Sequence, residues 1–280
     1  MTETKSEVQD VITTWHQAGE RVALVPTMGN LHEGHLALVR EAQQHADRVV
    51  ASIFVNPTQF GEGEDFEKYP RTPDEDIAGL EAESCDVVFI PDTEQIYPFG
   101  VEQSVSLKAS PDLAARLEGY NRPGHFDGVV SVVARLFAIT RPDVAVFGEK
   151  DYQQLLVVRK LADDLGFGID VIGKETIRDA AGLALSSRNA YLDPLELTLA
   201  RQLNKVLSET GQNARQGDVI KAHEMDAAEQ LMSAGLKVDY VAIRRADDLS
   251  VPEKFEGGLR ILAAVRCGET RLIDNMPMPD

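Results

Sequence analysis

Short apolar runs alternate with amphipathic patterns over the first part of the chain. We predict strands at 21–26, 48–55, 86–91, 143–147 and 169–173. Between them, apolar residues recur at helical spacing at about 33–45, 73–83, 125–139 and 151–165. Strands that alternate with helices favour an α/β fold with a doubly wound parallel sheet. Ligands bind such sheets at the carboxyl ends of the strands, where the strand order reverses.

The pattern changes after about residue 177. The sequence Asp193-Pro194-Leu195-Glu196 has the features of a helix start, with Asp as N-cap, Pro at the first helical position and Glu placed for a capping box. A second helix is predicted at 219–232, followed by strands at 238–243 and 261–265. We therefore predict two domains: residues 1–177 with the parallel sheet, and residues 178–280 as a smaller α+β domain with an antiparallel sheet.

The composition is that of a soluble globular protein, with 280 residues, 43% hydrophobic and 26% charged. The most apolar helical pattern, at 128–139, contains Arg135 and is too short to cross the roughly 30 Å of bilayer hydrocarbon. The first ten residues are polar and lack the basic start and apolar core of a secretion signal. We therefore expect a cytoplasmic protein that does not bind membranes. Cys85 and Cys267 are far apart in the sequence, which favours two reduced thiols over a disulfide.

The net charge of −18 argues against a nucleic-acid partner, because duplex binding requires a basic surface. Any phosphate site must therefore be local. Acidic residues are concentrated between 61 and 86, where ten of them, including Glu62, face only Lys68 and Arg71. Most of this stretch is expected to be a solvated face. The alternative is that one or two of its carboxylates help to hold a magnesium ion carried by a nucleotide.

The strongest chemical signal is the sequence Pro26-Thr27-Met28-Gly29-Asn30-Leu31-His32-Glu33-Gly34-His35, where the first strand meets the first predicted helix. The first amides of a helix have no partner within it, and the helix dipole favours an anion there. His32 and His35 add two more donors on one side of such an anion. The pattern predicts a phosphate site, and a glycine turn with two surface histidines is the alternative.

Two other chemistries compete for these ten residues. Gly29 and Gly34 have the glycine spacing of a P-loop, but His35 and Leu36 replace the Lys and Ser/Thr which that loop requires. The two histidines could also bind zinc, yet no Cys or third His lies nearby in the sequence to complete the ligand set.

Three further segments follow strands or the predicted domain junction. Gly148-Glu149-Lys150-Asp151 repeats the order of strand, turn and helix, so Lys150 could contact a triphosphate or the turn could simply be a capped helix start. The run 183–189 ends in Arg188-Asn189 and suits either a mobile lid that closes on phosphates or a polar hinge. The amides of Asn56, Gln59 and either Gln153 or Gln154 can bind hydroxyl and carboxylate oxygens, although a glutamine at 153 or 154 could equally face solvent.

Taken together, these segments resemble the pantoate–β-alanine ligase (pantothenate synthetase) family over nearly the whole chain. The matching pieces occur in the expected order at 26–35, 54–60, 69–72, 122–129, 147–154 and 185–189. The resemblance implies a Rossmann-like first domain, a C-terminal lid domain and a homodimer. It also implies a two-step ligation with ATP and Mg²⁺, in which pantoate forms pantoyl adenylate and pyrophosphate before β-alanine displaces AMP to give pantothenate. A nucleotidyltransferase that stops at an activated product and a nucleotide-binding regulatory module are the alternatives.

The resemblance also implies roles for individual residues, with His35, His32, Lys150 and Arg188 as the catalytic set and His35 as proton donor. The residues implied to bind ATP are Met28, Gly29, Asn30, Leu31, His32, Glu33, Gly34, His35, Gly148, Glu149, Lys150, Asp151, Ile177, Leu185, Ser186, Ser187 and Arg188. Gln59 and Gln154 would hold pantoate, Gln59 would also line the β-alanine site, and Asn56 would lie close by. The resemblance implies that ATP oxygens carry most of the Mg²⁺ coordination, and it leaves the side-chain ligands of the metal open.

Overall fold

The computed structural model describes residues 1–61, 63–215 and 218–279. Five strands form one parallel sheet: β1 (Val22–Thr27), β2 (Arg48–Ile53), β3 (Val87–Phe89), β4 (Val144–Gly148) and β5 (Asp170–Lys174). The strand order is β3-β2-β1-β4-β5, which confirms the predicted doubly wound sheet. The chain changes direction across the sheet between β1 and β4, so a ligand site is expected at their carboxyl ends.

Helices cover both faces of this sheet. They are α1 (Lys5–Gln17), α2 (Glu33–Ala42), α3 (Pro73–Ala82), α4 (Thr93–Ile96), α5 (Pro111–Ala114), α6 (Leu117–Asn121), α7 (His125–Thr140) and α8 (Tyr152–Asp164). Successive side chains of β1 point to opposite faces of the sheet and so belong to two different apolar cores. Val22 and Leu24 pack with α1, α7 and α8, whereas Ala23 and Val25 pack with α2 and α3. The four longer helices between strands were predicted, whereas α1 and the short α4, α5 and α6 were not.

The C-terminal region folds around a second sheet. It consists of α9 (Pro194–Asn213), α10 (Ile220–Ser233), β6 (Lys237–Arg245), β7 (Leu259–Cys267) and β8 (Thr270–Pro277). The strands are antiparallel in the order β6-β7-β8, as predicted, although β8 was missed. The predicted capping box is present, because the Asp193 carboxylate accepts from the Glu196 amide and the Glu196 carboxylate accepts from the Asp193 amide. A separate apolar cluster, drawn from residues 183–278, forms the core of this region. The domain boundary at 177/178 stays a prediction.

Two features predicted from composition can be compared with the structure. Cys85 and Cys267 are both free thiols, as predicted. Over the described ranges, none of the helices combines the length and the apolar character that crossing a membrane requires.

Candidate active site

A cavity of about 230 Å³ lies at the carboxyl ends of β1 and β4, at the point where the strand order reverses. Most of the predicted site residues line it: Met28, His32, Gly34, His35, Asn56, Gln59, Gly148, Lys150, Asp151, Gln154, Ile177, Leu185, Ser186, Ser187 and Arg188. A second cavity of about 580 Å³ adjoins it toward the C-terminal region and shares Lys150, Asp151, Ser186 and Arg188 with it. Segments separated by more than a hundred residues therefore converge on one place.

The turn after β1 bends sharply before α2 begins. Gly29 and Asn30 both have left-handed backbone conformations, with φ of 81° and 49°. The amides of Asn30 and Leu31 donate to the Asp76 carboxylate at 2.8 and 2.7 Å. The amides of Asn30 and Leu31, which precede α2, are therefore engaged within the protein, and the phosphate site at the start of α2 stays a prediction.

The histidine side chains present two further hydrogen-bond donors to the cavity. His32 Nδ1 accepts from the Gly34 amide at 3.1 Å, and His35 Nδ1 accepts from the His32 amide at 3.3 Å. Each neutral ring therefore carries its proton on Nε2, and both rings lie in the cavity wall. The ring centroids are 4.1 Å apart. A Cβ on Gly34 would lie 2.8 Å from the His32 ring, so only glycine fits between the two histidines.

Both histidines are neutral near pH 7. Burial and the nearby Lys150 charge lower the pKa of His32 to about 4. Burial, together with His32 and Lys150, lowers the pKa of His35 to about 3. The pair can therefore donate hydrogen bonds to an anion without adding positive charge of its own.

Gln59 lies in a short 3₁₀ turn, Pro57–Gln59, that follows β2. Its amide nitrogen donates to the Met28 sulfur at 3.0 Å, and its oxygen accepts from Asn56 at 3.1 Å. Sulfur is a weak acceptor, so a substrate oxygen would be a better partner for this amide. Asn56 is fully buried, and its oxygen accepts from the Tyr97 hydroxyl at 2.9 Å. Asn56 therefore holds the turn together, although it also touches the cavity.

The start of α7 holds the same turn from the other side. His125 Nδ1 donates to the Gln59 carbonyl at 2.8 Å, and Arg122 donates both to that carbonyl at 3.3 Å and to His125 Nε2 at 3.1 Å. A Cβ on Gly128 would lie 2.2 Å from the Thr58 carbonyl oxygen, so glycine permits the close approach. Beyond this contact α7 forms an apolar cavity wall of Val129, Val132, Val133 and Leu136.

Gln153 and Gln154 differ in their partners. Gln153 is buried, donates to the carbonyls of Leu113 and Arg116 at 2.6 and 2.9 Å, and accepts from the Glu118 amide at 3.1 Å. Gln153 therefore joins α8 to the segment around α5 and α6. Gln154 lines the cavity and is the one of the two that is placed to meet a ligand.

The Lys150 turn is attached to the C-terminal sheet. Lys150 Nζ lies 3.8 Å from the Asp151 carboxylate at the cavity wall. The side-chain amide nitrogen of Asn275, in β8, donates to the backbone carbonyls of Glu149 and Lys150 at 2.9 and 2.8 Å. Arg260 of β7 pairs with Glu149 at 2.7 Å and stacks on Tyr152 at 3.7 Å. Glu149, predicted to bind ATP, thus pairs with Arg260 and does not line the cavity.

Arg188 lies in a second 3₁₀ turn, Ser187–Tyr191, and forms a bidentate pair with Asp65 at 2.9 and 3.1 Å. The Ser187 hydroxyl donates to the Asn30 carbonyl at 3.1 Å, which joins this turn to the bend after β1. The Leu185 amide donates to the Ile177 carbonyl at 2.9 Å, so these two residues share one wall of the cavity.

Most of the described acids in the acidic stretch are exposed, as predicted, but three of them contact the site. Asp76 is 2% exposed, Asp65 pairs with Arg188, and Glu64 forms a bidentate pair with Arg122 at 2.7 Å. Burial alone would raise the pKa of Glu64, but the hydrogen bonds and charge of Arg122 hold it at about 2. Glu62 lies outside the described residues. The carboxylates of Glu64, Asp65 and Asp76 therefore hold arginines or backbone amides close to the cavity.

Other predicted residues lie beside the cavity without lining it. Glu33 pairs with Arg40 on the exposed side of α2, and Gly29, Asn30 and Leu31 form the bend behind the histidines. In residues 1–61, 63–215 and 218–279, no group of three His, Cys, Asp or Glu side chains is arranged to hold a metal ion.

Six residues that hold the site together were not predicted from the sequence: Asp65, Asp76, Arg122, His125, Arg260 and Asn275. Arg122 and His125 stand in the segment 122–129 that carries the family resemblance, so a signal for them was present. The others act on partners far away in the sequence, and nothing in their local pattern marks them.

Comparison with known proteins agrees with this geometry. A family model described as Pantoate-beta-alanine ligase matches residues 1–277. Pantothenate synthetase of Stenotrophomonas maltophilia K279a is 51% identical over 270 residues, which cover 96% of each chain. The enzyme of the same name from Thioalkalivibrio sulfidiphilus is 49% identical over 276 residues, covering 98% of this chain and 96% of that protein.

Solved structures show the same fold. Pantothenate synthetase from Thermus thermophilus superposes with a TM-score of 0.91 at 42% identity, and the match covers both chains completely. Pantoate-beta-alanine ligase from Francisella tularensis, solved with beta-gamma ATP and beta-alanine, superposes with a TM-score of 0.84 at 32% identity over 99% of this chain and 96% of that chain. With a family model that matches nearly every residue and relatives at half identity, this chain belongs to the pantoate–β-alanine ligase family.

Proposed function

We propose that this chain joins pantoate to β-alanine at the expense of ATP, forming pantothenate, AMP and pyrophosphate through a pantoyl-adenylate intermediate. One observation carries the proposal: two histidine donors, Lys150 and Arg188 share a cavity with the amides of Gln59 and Gln154. Such a cavity offers donors for phosphates beside uncharged donors for a hydroxy acid.

The phosphate side of the cavity serves the first step. The pantoate carboxylate attacks the α-phosphorus of ATP, the bond to the bridging oxygen breaks, and pyrophosphate leaves with the negative charge. Fixed donors that face the developing charge are the main source of rate in such a transfer. We assign His32 and His35 as Nε2–H donors, and Lys150 and Arg188 as the positive charges. The role of His35 as a proton donor remains a prediction. Its lowered pKa keeps the ring neutral, which suits a hydrogen-bond donor that does not transfer its proton.

The amide side of the cavity serves pantoate. Gln59 and Gln154 would bind its hydroxyl and carboxylate oxygens, with Gln59 also next to β-alanine, and the α7 wall would pack against its two methyl groups. Asn56, His125 and Arg122 keep Gln59 in place. In the second step the β-alanine amine attacks the acyl carbon, AMP leaves with the bonding electrons, and the amine loses a proton.

The nucleotide would lie along residues 28–35, 148–151, Ile177 and 185–188, the segments around the cavity. The Francisella relative, solved with an ATP form and β-alanine, supports these two ligands. We propose that Mg²⁺ enters with the nucleotide and is bound mainly by phosphate oxygens, the kind of hard ligand that this ion prefers.

The decisive experiment separates the two steps. Purified protein with ATP, Mg²⁺ and pantoate should release about one equivalent of pyrophosphate per site, and AMP and pantothenate should appear only when β-alanine is added. Continuous turnover without β-alanine would indicate a nucleotidyltransferase. ATP binding without pyrophosphate release would indicate a regulatory module.

We also propose a homodimer, two domains meeting at 177/178 and a cytoplasmic location. The family resemblance supports the first two proposals. Sedimentation equilibrium of the full chain tests the dimer, since a monomer at micromolar concentration would contradict it.

A further inference from the structure

Asp76 does not line the cavity, and its side chain is almost completely buried. The residue is 2% exposed, and its oxygens accept from the amides of Asn30 and Leu31 at 2.8 and 2.7 Å and from the Thr72 hydroxyl at 3.1 Å. Within the part of the chain that the structure describes, these are its side-chain partners, and none is a cation. Burying a carboxylate without a cation is costly, so its position calls for a reason beyond packing.

The Asp76 carboxylate lies inside the bend that follows β1. Two successive left-handed residues, Gly29 and Asn30, turn the chain there, a conformation that costs free energy at a residue other than glycine. The turn leaves the amides of Asn30 and Leu31 pointing at one spot, which the carboxylate fills. A Cβ on Gly29 would lie 3.0 Å from the carboxylate oxygen, so the fit is close.

The bend leads directly into the two histidines. The residue after Leu31 is His32, the N-cap of α2, whose backbone amide donates to His35 Nδ1 at 3.3 Å. The His32 ring in turn accepts from the Gly34 amide at 3.1 Å. The backbone path through residues 30–32 therefore decides which nitrogen each ring presents to the cavity.

We propose that Asp76 is a positioning residue for the histidine pair. It fixes the bend so that both rings face the cavity with Nε2–H. The inference rests on the proposed function only in taking the ligand of those rings to be the ATP phosphates. Asp76 acts through the histidines and does not itself touch the reacting atoms.

The test compares Asp76→Asn with Asp74→Asn. The first change keeps the shape of the side chain but places an NH₂ group against a backbone N–H, whereas Asp74 is an exposed acid in the same first turn of α3. We expect Asp76→Asn to weaken Mg·ATP binding about tenfold or more, the usual effect of losing a hydrogen bond to a charged group. The KM for pantoate should stay within about twofold, and Asp74→Asn should match the wild type.

Nitrogen-15 spectra of the histidine rings give a readout that lost stability alone would not change. The wild type should show His32 and His35 as neutral Nε2–H tautomers, and Asp76→Asn should mix the tautomers of one or both rings. Should Asp76→Asn fail to fold, Thr72→Val removes one of the three donors to the same carboxylate and should show the same changes at smaller size. Unchanged ATP binding and unchanged ring spectra in a folded variant would overturn the proposal.

These measurements also separate this inference from the proposed function. ATP binding and ring tautomers are measured without turnover. A wild type that binds ATP but makes no pantothenate would refute the proposed function and leave the role of Asp76 standing.

Discussion

In the reaction that we propose, His32, His35, Lys150 and Arg188 would divide the work of binding an anion between them. Burial keeps His32 and His35 neutral, with pKa values lowered to about 4 and about 3, so their contribution is directional donation from Nε2. Lys150 and Arg188 supply the charge, and Arg188 does so in the planar form that suits two oxygens at once. Loss of a neutral donor and loss of a charge should therefore both slow the transfer.

We expect His35→Ala and Lys150→Ala each to lower the rate of pyrophosphate release by roughly 10²–10³, the typical cost of removing one transition-state donor. Single-turnover assays with ATP and pantoate, without β-alanine, measure this step alone. His45→Ala is the matched control. His45 lies just past the end of α2, pairs with Glu41 and does not line the cavity. Wild-type adenylate formation in both variants would contradict the assigned roles.

Gln59 should act on pantoate more than on ATP. Among the residues that the structure describes, the Met28 sulfur at 3.0 Å is the only partner of its amide nitrogen, which can exchange it for a substrate oxygen. We expect Gln59→Ala to raise the KM for pantoate by about tenfold or more while the KM for ATP changes about twofold or less. Initial rates with each substrate varied in turn measure both constants, and equal effects on the two would refute a pantoate-specific contact.

Among the elements, the segments that follow strands hold each other in place across the cavity. The 3₁₀ turn with Arg188 reaches back to the bend after β1 through Ser187, and to the acidic stretch through Asp65. Arg188 thus already has an anionic partner in the protein. A phosphate that binds Arg188 must compete with the Asp65 carboxylate.

Removal of that competitor should favour the nucleotide. We expect Asp65→Asn to lower the KM for ATP by up to about fivefold, the range that a partly exposed ion pair allows. Glu67→Gln, an exposed acid on the same segment, should leave the constant unchanged. A KM for ATP that rises in Asp65→Asn would show instead that Asp65 orients Arg188.

The elements also show how far local sequence predicts this structure. The strands of the parallel sheet and the start of α9 were predictable, because period, N-cap and proline are signals within a few residues of each other. The last strand, β8, was missed because Asp274 and Asn275 interrupt its apolar pattern, although both are buried.

The site residues likewise fall into those that could be predicted from local sequence and those that could not. The histidine pair, Gln59, Lys150 and Arg188 stand in recognisable motifs, so their convergence was predictable from the strand ends. The partners that hold them were not. Asp76 acts on an amide 45 residues away and Asn275 on a carbonyl 125 residues away, and such contacts leave no local pattern.

Across the whole molecule, buried ion pairs and buried neutral histidines tie stability to pH. Arg271 of β8 pairs with Glu118 of α6 at 2.6 and 2.8 Å, and the Tyr240 hydroxyl donates to the same carboxylate at 2.9 Å. His32, His35 and His125 are held neutral, chiefly by burial, with pKa values of about 4, 3 and 4. All three values lie below the ordinary histidine pKa of about 6.5.

The sign of the pH dependence follows from these values. Below about pH 6.5 the unfolded chain binds protons on these histidines while the folded chain does not, so acid favours unfolding. We expect the Tm to fall steadily from about pH 6.5 to about pH 4 and to be insensitive to these groups above that window. Thermal melts across this range test it, and His125→Gln should show a shallower fall. A Tm independent of pH over the window would contradict the histidine assignment.

The attachment of Asn275 to the Lys150 turn bears on how the chain could be divided. A fragment that stops at residue 177 would keep every strand of the parallel sheet, both histidines, Gln59 and Lys150 itself. It would lose Arg260 and Asn275, the side chains that hold the Glu149–Lys150 backbone from the far sheet. Such a fragment would keep the shape of the first domain, but the position of its Lys150 turn would no longer be fixed. The last strand of the chain therefore contributes to the same site as the first strand.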